Sequence, residues 1–85
     1  MWQLEFTKKA EKEFAKLTPE IRKRIDKAIL EKLLIAPDQH LIPLVGELSG
    51  FYKFRVGDHR LLCHKEGTRL VITVVKVAHR REVYN

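Results

Sequence analysis

The stretch FYKFRVGDHRLLCH, residues 51–64, holds two apolar-rich runs separated by Gly57-Asp58. A Gly-Asp pair between alternating runs reads as a two-residue hairpin turn, because such turns need residues that tolerate positive φ. Counting outward from that turn, Val56 faces His59 and Arg55 faces Arg60. Tyr52, Phe54, Val56, Leu61 and Cys63 then share one apolar face. Lys53, Arg55 and Arg60 share the other. Directly opposed like charges destabilise an antiparallel pair by up to roughly 1 kcal/mol. A hairpin that accepts this cost, with little acid nearby, predicts a surface kept cationic for an anionic ligand.

The surrounding sequence supplies the rest of an α+β unit. Upstream, WQLEFT alternates with period two, placing Trp2, Leu4 and Phe6 on one face of a first strand. Thr7 can cap a short helix with a stripe of Ala10, Phe14, Ala15 and Leu17. Thr18-Pro19-Glu20 is a second helix start, with Thr18 as N-cap and Pro19 at the first helical position. Ile21, Ile25, Ala28, Ile29, Leu33 and Leu34 recur at helical spacing until Ala36-Pro37-Asp38 ends the run. Residues 39–48 are irregular. Downstream, strands are expected over about Phe51–Val56, His59–His64 and Arg69–Val77, with a turn at Glu66-Gly67-Thr68. The order is β-α-α-β-β-β: a small, antiparallel-rich sheet of about four strands with a helical hairpin packed on one face.

Composition bounds this unit. Eighty-five residues, 45% of them hydrophobic, suit one domain spanning 1–85, with a modest core between two layers. The net charge of +6 predicts an anionic partner. The charge is uneven. Met1 to Ile42 carry nine Lys/Arg against seven Asp/Glu, whereas Pro43 to Asn85 carry eight against four. The single Cys63 excludes an internal disulfide and falls on the apolar face beside Leu61, as a small core hydrophobe would. There is no long apolar run, so neither a leader nor a membrane span is expected, and the compartment read from the sequence is the cytoplasm.

The basic face has the inventory for RNA. The third strand leads into His79, Arg80 and Arg81, with Tyr84 close behind: cations for phosphates and a ring that can stack on an unpaired base. The same groups could cut the chain they hold. Cleavage by a neighbouring 2′-hydroxyl needs a group to take its proton, another to protonate the departing 5′-oxygen, and fixed cations around phosphorus. Lysine is ordinarily too basic for the first task near neutral pH, and neighbouring cations are a physical means of lowering its affinity for the proton. Among the histidines, His40 and His59 read as ordinary surface residues, His64 follows the cation-face alternation, and His79 is the best proton carrier. No pair has zinc-ligand spacing, so neither metal nor cofactor is expected.

The order of elements, with LSGFYKFRVGDHRLLCH and the closing VVKVAHRREVY, resembles the RelE-type toxins of bacterial toxin–antitoxin systems, within the RelE/ParE superfamily. The resemblance implies a toxin that cleaves messenger in the ribosomal A site without metal. It implies that Lys53 is a candidate base or transition-state stabiliser, that Arg55 fills the next outward basic position, and that Arg60 contacts the scissile phosphate. Arg80 would be phosphate ligand or acid, and Tyr84 would stack on or orient the substrate base. Arg81 joins the RNA-binding set. Departures are the short turn, Arg55 where some members have lysine, and His79-Arg80 where some have lysine-arginine; they leave the acid and the base unassigned. The partners implied are a cognate antitoxin, the ribosome and its messenger, with the free toxin monomeric. The rival readings are a ParE-like inhibitor of DNA gyrase and a non-catalytic nucleic-acid-binding module.

Overall fold

The computed structural model describes residues 1–79. The elements are β1 (Gln3–Phe6), α1 (Lys8–Ala15), α2 (Pro19–Ala28), the single turn α3 (Pro37–His40), β2 (Ile42–Pro43), β3 (Tyr52–Val56), β4 (His59–Glu66) and β5 (Val71–His79). Five strands form one sheet in the order β1-β5-β4-β3-β2. β1 pairs parallel to β5, and the remaining pairs are antiparallel. The α+β class and the helical hairpin on one face of the sheet are as the sequence predicts. The sheet has a fifth strand, the two-residue β2, within the stretch expected to be irregular.

Both helix starts form as the capping residues dictate. Thr7 Oγ1 accepts the Ala10 N–H at 3.2 Å and Thr18 Oγ1 accepts the Ile21 N–H at 3.4 Å, each satisfying one orphan donor of the first turn. Arg22 closes the helical hairpin by donating from Nη1 to the carbonyls of Leu17 at 2.7 Å and Ala15 at 3.2 Å, at the end of α1. Past Ala28, α2 widens: the Leu34 N–H reaches back five residues to the Ile29 carbonyl at 2.9 Å. The wider turn lets Leu33 and Leu34 both face the core, where both are buried. Ala15, expected in the α1 stripe, is exposed instead, because the helix ends there and only Ala10 and Phe14 face the sheet.

The core lies between the helices and one sheet face. Ile25, Ile29 and Leu33 from the helical layer meet Phe54, Leu61, Ile72 and Val74, with Trp2, Leu4 and Phe6 packed against the cluster. Cys63 is fully buried in it, as expected of a small hydrophobe, and burial pushes its thiol up to about 12.

One irregularity reorients the end of β5. Leu62 pairs with Lys76 but Cys63 pairs with Val74, so Val75 is an extra residue in the ladder. A bulge of one residue reverses the side-chain alternation beyond it. Ile72 and Val74 face the helices before the bulge, and Val77 and His79 do so after it. The groups freed there are taken up from α1 and its N-cap: the Val77 N–H donates to Glu13 Oε1 at 2.9 Å, and Thr7 Oγ1 donates to the Val75 carbonyl at 3.4 Å.

Candidate functional site

The hairpin register is the one the turn predicts. Arg55 pairs with Arg60, Val56 with His59, and Lys53 with Leu62. Gly57 has φ +57°, which the tight turn requires and which side-chain-bearing residues adopt with strain. Lys53, Arg55 and Arg60 therefore stand together on the sheet face opposite the helices. Leu62 lies between Lys53 and Lys76 on this face and is buried although none of the described helices packs there; long lysine stems on either side can lay their methylenes over it.

The two arginines differ in posture. Arg60 Nη1 donates to the carbonyls of Gly57 and His59, both at 3.1 Å, which folds the guanidinium back over the turn. Those two bonds occupy one terminal nitrogen of a five-donor fork and leave the others for a ligand. Arg55 is exposed and makes no ion pair among the described residues. Among the described residues, the ion pairs Lys65–Asp38 at 2.6 Å and Arg69–Glu66 at 3.4 Å involve neither of these two arginines.

Arg55 also borders a cleft of about 400 Å³ between α2 and β3, whose charged lining is Arg24, Lys27 and Lys32 with Glu31 among them. Arg24 comes close to the turn: a Cβ on Gly57 would sit 3.4 Å from its Nη1. α2 thus adds one cation, Arg24, at the hairpin tip, a contribution no sequence spacing announces. Among the described residues no three His, Cys, Asp or Glu side chains stand close enough to hold a metal ion. Nor, among those residues, is any helix long and apolar enough to cross a membrane.

His79 does not stand with the three cations. The bulge at Val75 turns it toward the helices, where it pairs across the ladder with His59, ring centroids 5.3 Å apart and planes at 86°. His59, read from the sequence as an ordinary surface residue, is half-buried there. Desolvation lowers its pKa, the neighbouring His79 lowers it further, and Arg24 and Arg60 push the same way against Asp58. The pair borders a cavity of about 350 Å³ that also takes in Glu13, Lys16 and Leu17. Arg80, Arg81 and Tyr84 lie outside the described residues.

Residues 4–84 match the family model described as the ParE toxin of the type II toxin–antitoxin system parDE. Among solved structures, the chain is similar to the Mycobacterium tuberculosis RelBE2 toxin–antitoxin complex, with 28% identity, TM-score 0.87, and coverage of 93% of this chain and 98% of that one. It is similar to the isolated Escherichia coli RelE toxin, with 25% identity, TM-score 0.75, and coverage of 93% and 84%. The RelB–RelE antitoxin–toxin complex of Methanococcus jannaschii shares 28% identity at TM-score 0.66, with 95% of each chain covered. No curated protein matches the chain.

Proposed function

This chain belongs to the ParE toxin family of type II toxin–antitoxin systems, and we propose that within the RelE/ParE superfamily it acts as a ribosome-dependent endoribonuclease. One observation carries this reading. Lys53, Arg55 and Arg60 are gathered on the open face of the sheet, with two arginines directly opposed. That arrangement disfavours the fold and suits a phosphodiester. The whole chain acts as one cytoplasmic toxin domain, with a cognate antitoxin as partner in the resting state and messenger in the ribosomal A site as substrate.

The chemistry is transesterification within the RNA. The 2′-oxygen attacks the adjacent phosphorus, the bond from phosphorus to the 5′-oxygen breaks, and a 2′,3′-cyclic phosphate and a 5′-hydroxyl result. One proton leaves the 2′-hydroxyl for a base and one reaches the 5′-oxygen from an acid, so no metal or cofactor is needed. Lys53 is proposed as the base or as a stabilising cation. Arg55 and Arg60 hold the non-bridging oxygens as charge accumulates, with Arg60 already restrained by its bonds to the turn. Arg80 and Tyr84 are proposed as phosphate ligand or acid and as base-stacking ring, and Arg81 as a further phosphate contact. His79 serves this site from the end of the sheet, one residue before Arg80, and not across the cation face.

A second reading has its own support, since the matched family model is that of ParE: inhibition of DNA gyrase. One experiment separates them. Purified protein is added to translating ribosomes and messenger ends are mapped by primer extension, in parallel with gyrase and supercoiled plasmid. New messenger ends that vanish in Arg60→Ala support the nuclease. No new ends, with stabilised cleaved plasmid, would replace it by the gyrase reading.

A further inference from the structure

One step beyond the Tyr52–Cys63 ladder pair, Phe51 and His64 meet on the same sheet face as the cations, ring centroids 6.2 Å apart and planes at 65°. Phe51 precedes Lys53 by two residues and His64 follows Leu62 by two, so the alternation puts both rings outward. The main chain of Phe51 is tied on both sides: its N–H donates to the Leu48 carbonyl and its carbonyl accepts the Leu44 N–H, each at 3.0 Å. Those bonds fix where the ring starts. His64 is exposed. In an inclined pair one ring meets the other with its edge, which leaves its own faces uncovered by its partner.

We propose that Phe51 and His64 form a stacking platform for a base of an RNA strand whose phosphates lie on Lys53, Arg55 and Arg60. The inference rests on the RNA reading given above and adds a subsite to it. A strand rises roughly 3.3 Å per residue, so the platform stands about 7 Å from Lys53 and about 13 Å from Arg55 along β3. That distance is too great for the link being cut and suits a nucleotide flanking it. Cations tracking a backbone next to an aromatic ring are the arrangement by which single strands are held without strict sequence preference. The platform lies at the opposite end of the face from the hairpin turn.

The test uses the full chain and 2′-O-methyl RNA hexamers, which cannot undergo the cleavage, with binding followed by fluorescence anisotropy at low salt. Intact hexamers are compared with a series carrying one abasic residue at each position. Wild type should show a position, distinct from any that depends on Tyr84, where the missing base lowers affinity about ten-fold, the usual size of one base–aromatic stack. Phe51→Leu should bind intact RNA about ten-fold more weakly and lose that position-dependence, while Phe51→Tyr keeps both. A ring that only braced the hairpin would leave the abasic profile unchanged in Phe51→Leu, and that result overturns the proposal. If Arg55→Gln weakens binding while Phe51→Leu does not, the platform falls and the RNA reading stands. If wild type binds no hexamer, the platform falls as a free-RNA subsite, and the nuclease reading is decided separately by primer extension on translating ribosomes.

Discussion

Replacing Arg55 should make the protein more stable and less active at once. Its ladder partner is Arg60, and directly opposed Cβ atoms are about 5 Å apart. Two unit charges at that distance in water repel by about 0.8 kcal/mol. Arg60 is drawn back onto the carbonyls of Gly57 and His59, which widens the separation of the charges, so about 0.5 kcal/mol is expected from relieving the repulsion in Arg55→Gln. Arg55→Glu converts repulsion to attraction and should gain about 1 kcal/mol in total. At about 4–8 °C per kcal/mol for a domain of this size, the melting temperature should rise by about 2–4 °C for glutamine and about twice that for glutamate. The gain is electrostatic between exposed groups, so it should shrink markedly between 20 mM and 500 mM salt as the screening length falls toward a few ångströms. Messenger cleavage should drop at least ten-fold in both variants. Thermal melts at the two salt concentrations, run beside primer extension on translating ribosomes, read both quantities. A glutamate variant that melts at or below wild type in low salt, or that gains equally in high salt, would refute the claim that this face is held cationic against its own stability.

Glu13 should be more important to stability than an ordinary surface acid. Glu13→Ala strands the Val77 N–H that its carboxylate accepts at 2.9 Å, a loss of about 2 kcal/mol, while Glu13→Gln keeps an acceptor and should lose less than half as much; urea melts and faster exchange of the Val77 amide check this. His59 should make the fold acid-sensitive. Its folded pKa lies below the ordinary 6.5, so the unfolded chain binds more protons between the two values. The stability is therefore intact above about pH 6.5 and lost as pH falls through the folded value. His59→Gln should show a smaller drop in urea midpoint from pH 7.5 to pH 5 than wild type, and an equal drop would contradict the assignment. Cys63, buried with its thiol pushed up to about 12, should resist thiol reagents at pH 8 until denaturant is added.

Much of the fold can be read locally because its signals are local. A two-residue turn at Gly57-Asp58 fixes the register of β3 against β4 and so the faces of Lys53, Arg55 and Arg60. Thr7 and Thr18 announce their helices through bonds made within three residues. What escapes is non-local or too short to have a period. Ile42–Pro43 is a two-residue edge strand, below the length at which alternation can be seen. The pairing of β1 with β5 joins residues nearly seventy positions apart and leaves no trace in either segment alone.

The candidate site shows the same division. Reading β5 as an unbroken alternation from Ile72 and Val74 would put His79 on the cation face. The bulge at Val75 sends it to the other side, and the apolar run LVITVV hides the extra residue because both phases of the alternation are apolar. Arg24 joins the hairpin tip only through the packing of α2, which no helical spacing of charges could report. His59 could have been found: the register that faces it with Val56 already sets it on the inner face, next to the end of the following strand.

The parallel seating of β1 against β5 has a consequence for how the protein is made. β5 lies between the strand that is synthesised first and the hairpin that carries the cations, so the sheet stays in two pieces until residues 71–79 have left the ribosomal tunnel. Contacts of such long range form late and slowly. A nascent copy of this chain therefore stays unfinished until those residues emerge, and its sheet should close abruptly at that point.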